Sequence, residues 1–163
     1  MSARTGIGYD SHRFGDGRRL ILGGVEIPGA ERGLEGHSDA DVLAHAVIDA
    51  LLGAAGLGDI GLHFPDTDAR WKDADSIALL CEVVAMLGRG GWVVGNVDAT
   101  VICEAPKLGP HRESMRVALA TAIGAEHGTV NVKFTTNERM GFVGRGEGIA
   151  ALATATVRAA DEG

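Results

Sequence analysis

The stretch that most constrains this chain runs from Gly36 to Asp49, Gly-His-Ser-Asp-Ala-Asp-Val-Leu-Ala-His-Ala-Val-Ile-Asp. It reads as loop, cap and helix in one piece. A short side-chain oxygen at Ser38 or Asp39 can accept from the free backbone N–H groups of a first helical turn. Val42, Leu43, Ala46, Val47, Ala50, Leu51 and Ala54 then recur at helical spacing, which predicts a helix over residues 38–57 closed by Gly58. Asp41, His45 and Asp49 are four apart and share one face, so His45 sits between two carboxylates. His37 falls in the loop before the cap, where backbone N–H groups and the helix dipole favour an anion. The alternative is that Asp41, His45 and Asp49 are only the hydrated face of an amphipathic helix.

The N-terminus bears on that choice. Residues 4–14 read as a strand, and on a strand Asp10 and His12 point to the same side. A carboxylate and an imidazole on a strand, with one histidine from a helix, make a common zinc set. Two histidines and one carboxylate leave a tetrahedral position open, as catalytic rather than structural sites do. The spacing therefore nominates Asp10, His12 and His45 as zinc ligands; the alternative is an ordinary Asp–His hydrogen bond.

The rest of the chain punctuates clearly. Residues 18–28 predict a hairpin, Arg19 to Leu22 and Val25 to Ile27 about a Gly23-Gly24 turn, stopped by Pro28. Residues 59–68 form a loop dense in short acids, where Asp59 and Asp66 serve either substrate hydroxyls or the turn itself, and His63 reads as a bystander. Asp75 caps a helix predicted over 76–87. A strand follows over 92–104, and then a loop between Pro106 and Pro110. Lys107 at its tip is placed to meet a phosphate or a base edge, or simply water. A helix over 111–123 and a strand over 129–136 come next. The Gly-rich loop 137–148 allows close approach to a phosphate, but is neither GxGxxG nor a P-loop. Residues 149–159 fit helix by alanine content and strand by alternation, and alternation is preferred here.

A chain of 163 residues is read as a single domain, 1–163, with an aliphatic core and, given 25 glycines, tight loops. A net charge of −7 argues against nucleic acid as a partner. No long apolar run or secretory signal pattern stands in the sequence, so a soluble cytoplasmic protein with no membrane partner is expected. Cys81 and Cys103 lie in periodic apolar segments and are expected to be buried free thiols.

The segments GYDSHRF, GHSDADVLAHAVIDALLGAAGLGDIG, FPDTD, EAPKLGPH, NVKFTTNERMGF and GRGEGIA cover nearly the whole chain. Together they resemble the 2-C-methyl-D-erythritol 2,4-cyclodiphosphate synthases of non-mevalonate isoprenoid biosynthesis. The resemblance implies an α/β (α+β) subunit with a mixed four-stranded sheet, helices packed on one face, ferredoxin-like in character, and a homotrimer with active sites between subunits. It implies a CMP-releasing lyase that cyclises 4-diphosphocytidyl-2-C-methyl-D-erythritol 2-phosphate, in the form not fused to a cytidylyltransferase. It assigns zinc to Asp10, His12 and His45, and Mg²⁺ or Mn²⁺ to Glu138. His37 and Thr136 match transition-state stabilisers. Ser38, Asp59, Ile60, Gly61, Phe64, Pro65, Asp66, Thr67 and Asp68 match methylerythritol contacts. Cys103, Glu104, Ala105, Pro106, Lys107, Leu108, Gly109 and Thr135 match a cytidine pocket, and Asn137, Phe142 and Arg145 further binding positions. Leu108-Gly109 departs from the Met-Leu that many relatives carry there. Two other classes compete: a zinc phosphohydrolase that sends water to phosphorus, although the adjacent His-Asp of the HD type is missing, and a non-catalytic trimeric nucleotide sensor.

Overall fold

Strand β1 spans Ala3–Gly15 and alternates because one side of it is pressed against a helix. The computed structural model describes residues 3–160. The chain then makes a small hairpin, β2 (Ile21–Leu22) and β3 (Val25–Glu26), about the predicted glycine pair. Gly23 and Gly24 have φ of 58° and 75°, a left-handed pair that a two-residue hairpin turn demands and that favours glycine.

Helix α1 spans Val42–Ala55, shorter than predicted at both ends. Its cap is Asp41, not Ser38 or Asp39, and it closes at Gly56 with φ 74°, before Gly58. Asp41 wins the cap because it does two jobs. One carboxylate oxygen accepts from Ala44 N at 3.0 Å and Gly23 N at 2.8 Å, and the other from Gly24 N at 2.7 Å. The carboxylate thus ties the helix start to the hairpin turn, wholly out of water. Asp41→Ala would strand three backbone N–H groups, at about 1–3 kcal/mol for each one left buried and unpaired. We expect a loss of about 3–5 kcal/mol in urea unfolding; a loss below about 1 kcal/mol would show that water takes over those donors.

The hydrated-face alternative for α1 fails on burial: of its residues only Asp49 and Gly53 are not buried. A helix apolar all round lies inside the protein, and α1 does. It packs across β1 and across β7 (Gly148–Ala159), with α3 (Ser76–Arg89) on its other side. Helix α4 (Arg112–Ile123) packs on α3 and on β6 (Val130–Thr135), which runs parallel to β5 (Trp92–Ile102). Short helices α2 (Ile60–His63) and α5 (Gly141–Gly144) sit in the two long loops. No helix among the described residues is long and apolar enough to cross a membrane.

The sheet has five strands, in the order β4-β1-β7-β5-β6, not four. The extra member is β4, Gly33–Leu34, which pairs with Phe14 and Gly15 where β1 outruns its β7 partner at Arg13. The long elements follow as β-α-α-β-α-β-β, which is not the ferredoxin-like order β-α-β-β-α-β. Residues 148–159 are a strand, as alternation indicated: β7 sits between β1 and β5, with both neighbours antiparallel. Cys103 is buried, but Cys81 is exposed. The buried stripe of α3 is Ser76, Leu79, Leu80, Val83 and Leu87, and position 81 falls outside it. On the sheet face away from α1, Ile7, Tyr9 and Leu152 stand 66%, 55% and 39% exposed.

Candidate active site

The strand period and the helix position bring Asp10, His12 and His45 together. Gly6 and Gly8 lie on the same side of β1 as Asp10 and His12 and let α1 lie directly on the strand: a Cβ on Gly8 would stand 1.9 Å from the Ala46 carbonyl oxygen. His12 Nε2 is 2.9 Å from Asp10 Oδ2, His45 Nδ1 is 3.1 Å from the same oxygen, and the two ring nitrogens are 3.2 Å apart. The Glu35 carbonyl lies 2.7 Å from His12 Nδ1. A carbonyl can only accept, so His12 carries its proton there and turns the Nε2 lone pair inward. Ligand atoms on a tetrahedral ion with bonds of about 2.0 Å are about 3.3 Å apart. The observed spacings are close to that, and the three side chains fit a metal ion; they are the one such group among the described residues.

The electrostatics point the same way. Burial alone would raise the Asp10 carboxyl, but the hydrogen bonds and charges of His12 and His45 outweigh it and bring it down to about 2. Burial alone would lower the His12 imidazole, but Asp10 overrides it and raises it. A carboxylate that stays ionised, and that favours positive charge on the imidazole beside it, makes a site that accepts a cation.

Neither Asp41 nor Asp49, the two carboxylates that flank it in sequence, holds the outer nitrogen of His45. Asp41 is spent on the cap, and Asp49 accepts from Ile60 N at 2.8 Å and so anchors α2. The outer nitrogen, Nε2, meets Ser76 Oγ at 2.8 Å and Ser38 Oγ at 3.2 Å. Ser76 escaped the sequence reading because nothing local distinguishes it from any first residue of a capped helix.

The triad opens into a cavity of about 460 Å³. His37, Ser38, Ile60, Gly61, Phe64, Pro65, Asp66 and Thr67, all named from the resemblance, line it. Trp71 and Leu79 line it too and were missed. Trp71 packs edge-on against Phe64, with centroids 5.0 Å apart, so an aromatic soon after Phe-Pro-Asp was the available signal. Asp59 instead caps α2, accepting from Leu62 N at 3.0 Å. The Asp68 carboxylate pairs with Arg70 at 2.6 Å, while its carbonyl meets His37 Nε2 at 3.3 Å. His63 Nε2 meets the Leu57 carbonyl at 2.7 Å, and its ring is tilted against Phe64.

A second cavity, about 380 Å³, is lined by Cys103, Glu104, Pro106, Lys107, Leu108, Gly109, Thr135 and Thr136. Pro110, Arg112 and Phe134 complete it, the guanidinium 5.2 Å over the ring, and none of the three was nominated as a site residue from sequence. Burial pushes the Cys103 thiol up to about 11, so it is a packing group and not a nucleophile. Ala105 is outside this cavity, on the far side of the loop. Glu138 and Arg139 hold left-handed backbone, φ 51° and 62°, in the turn after β6. The Glu104 carboxylate restrains that turn, accepting from Asn137 N at 2.8 Å and Arg139 N at 3.2 Å. Glu138 is not brought to the triad: its carboxylate meets Thr136 Oγ1 at 3.0 Å. Phe142 and Arg145 belong to the α5 segment, and Arg145 pairs with Glu147 at 2.8 Å.

Residues 3–158 match the YgbB family. The chain is 65% identical over 153 residues to the 2-C-methyl-D-erythritol 2,4-cyclodiphosphate synthase of Rubrobacter xylanophilus, covering 92% of each. Its fold is similar to the bifunctional IspDF of Campylobacter jejuni, at a TM-score of 0.94 and 42% identity over 98% of this chain and 43% of that one. It is also similar to IspF of Plasmodium falciparum in complex with CDP, at a TM-score of 0.85 and 29% identity over 98% of both chains. On this fold, this triad and these matches, the chain belongs to the YgbB family of 2-C-methyl-D-erythritol 2,4-cyclodiphosphate synthases.

Proposed function

We propose that the two cavities are the two halves of one active site, joined between neighbouring subunits of a cyclic homotrimer. The enzyme is a lyase of non-mevalonate isoprenoid biosynthesis. It converts 4-diphosphocytidyl-2-C-methyl-D-erythritol 2-phosphate to 2-C-methyl-D-erythritol 2,4-cyclodiphosphate plus CMP. An oxygen of the 2-phosphate bonds to the β-phosphorus, and the bond from that phosphorus to the CMP oxygen breaks. The nucleophile is already an anion, so no serine, cysteine or general base is needed. What opposes closure is repulsion between anions and charge growth at phosphorus.

The observation that carries this reading is the Asp10–His12–His45 triad opening directly onto the cavity lined by Ile60, Gly61 and the Phe64–Thr67 segment. We read Zn²⁺ at the triad and Mg²⁺ or Mn²⁺ at Glu138, the first for its nitrogen ligands and the second for its oxygen ligand. Bound there, such ions supply Lewis-acid stabilisation of phosphoryl oxygens. The chain's own residues do the rest. His37 and Thr136 donate to charge as it grows. Ser38, Gly61 and Asp66 orient the methylerythritol, and Lys107 and Thr135 hold the cytidine end; a cytidine ligand is in keeping with the Plasmodium falciparum relative, which is a CDP complex. Holding both ends of one bent substrate is worth about 7–11 kcal/mol in effective molarity.

The trimer is supported by three features. His37 lines one cavity and Thr136 the other, with no residue shared. Strand β1 is separated from β6 by β7 and β5, three strand spacings or about 14 Å. Ile7, Tyr9 and Leu152 form an apolar patch on the helix-free face that a second copy would cover. We place the enzyme in the cytoplasm, where the free thiols of Cys81 and Cys103 remain reduced.

Subunit mixing tests the shared site. His12→Ala disables the triad side, and Lys107→Glu with Thr135→Val disables the cytidine side. Refolded together in equal amounts, the two inactive proteins should recover roughly a quarter of the sites, because each site needs two independent intact halves in a closed ring. No recovered activity after verified exchange would mean that both halves come from one subunit.

A further inference from the structure

His45 has two ring nitrogens with opposite surroundings. Nδ1 faces Asp10 and His12, at 3.1 and 3.2 Å. Nε2 faces away, to Ser76 and Ser38, at 2.8 and 3.2 Å. A neutral imidazole carries one proton, so whichever nitrogen holds it decides whether Nδ1 offers a lone pair or an N–H to the triad. A serine beside Nε2 does not decide this by itself, since a hydroxyl both donates and accepts.

Asp39 removes the ambiguity. Its Oδ1 accepts from the Ser76 hydroxyl, and its Oδ2 from Ser76 N at 3.1 Å. A carboxylate only accepts, so the Ser76 proton is committed to Asp39 and a Ser76 lone pair is left for His45. Ser76 is 0% exposed, so no bulk water competes for it. Ser38 is compatible with the arrangement: it is farther from the ring, at 3.2 Å, and with one lone pair on Ala40 N its second can accept from the same Nε2–H. We propose that Asp39 and Ser76 form a positioning relay that keeps the His45 proton on Nε2 and so presents the Nδ1 lone pair to the metal site. The relay rests on reading the triad as that site, and it explains why Ser76, 31 positions from His45, is buried against it. Its outer end lies elsewhere: Asp39 lines a separate surface groove with Arg19 and Asp73, not the cavity beside the triad.

Asp39→Asn tests the relay with little change of shape. Backbone donors hold the Asp39 carboxylate at both oxygens, Ser76 N at 3.1 Å and Asp41 N at 3.2 Å; with the amide oxygen at Ser76 N, the NH₂ turns to the Ser76 hydroxyl, and Asp39→Ala removes the acceptor whichever way an amide would turn. Ser76 must then donate to His45 Nε2, which moves the imidazole proton to Nδ1. Nitrogen-15 NMR of the metal-free protein, at a pH that keeps the imidazoles neutral, should show His45 as the Nε2–H form in the wild type and shifted toward Nδ1–H in the variant. Zinc affinity, measured against a competing chelator, should fall about 10–100-fold in Asp39→Asn and in Ser76→Ala, the size usual for partners of metal-binding histidines. The double variant should fall no further than Ser76→Ala, because Asp39 reaches His45 only through Ser76. An unchanged His45 spectrum in both Asp39→Asn and Asp39→Ala, or losses that multiply in the double variant, would overturn the relay. A wild-type protein with the Nε2–H form and the Asp39→Asn shift, but no affinity for zinc, would uphold the relay and strike the zinc reading instead.

Discussion

His45→Ala is expected to leave a folded protein that has lost its metal and on the order of 10³ or more in turnover, since several kcal/mol of phosphoryl charge stabilisation disappears at about 1.4 kcal/mol per decade. The side chain is the only ligand that α1 contributes, and its Nδ1 closes the triangle with Asp10 and His12. Two ligands on one strand do not form the three-donor set that catalytic zinc needs. The fold should survive because Ser76 keeps Asp39 as partner through both its hydroxyl and its backbone N–H. Elemental analysis for zinc and circular dichroism read the two parts separately. Full zinc occupancy in the variant would remove His45 from the ligand set, whatever happened to the rate.

Gly8→Ala is expected to have the largest effect on stability. Overpacking costs about 1–3 kcal/mol where side chains can give way; here they cannot. The added methyl would be 1.9 Å from the Ala46 oxygen and 2.7 Å from Ala50 N, both backbone atoms of α1. The helix would have to lift from β1, carrying His45 away from Asp10 and His12. Urea midpoint and zinc affinity should therefore fall together. Gly53, on the helix side, is the control: a Cβ there would come no closer than 3.9 Å to Gly6 and Ile7. Gly53→Ala should be neutral or stabilise by up to about 1 kcal/mol, as usual for alanine replacing a helical glycine. A Gly8→Ala protein with wild-type stability and zinc binding would show that the helix–strand contact is not rigid.

Whatever depends on neighbours along the chain was legible in the order of residues alone. The two-residue strand period put Asp10 and His12 on one side of β1, and alternation identified β7. The glycine pair specified the hairpin turn, and Asp75 capped α3 as predicted, accepting from Ile77 N at 2.8 Å. These are short-range rules of backbone geometry, and tertiary packing agreed with them. Family resemblance supplied most of the cavity lining, but not the roles within it. Tertiary structure decided which of several chemically equal groups did which job. Asp41 and Asp49 share a helix face with His45, yet each carboxylate was claimed by nearby backbone N–H groups, at the hairpin turn and at α2, whose burial unpaired would have cost more. The partner of His45 then came from α3, because only the packing of α3 on α1 brings Ser76 within 2.8 Å. The same holds for Cys81, which lies in an apolar run but on the outer side of α3, and for β4, a strand only because β1 left an edge to be filled.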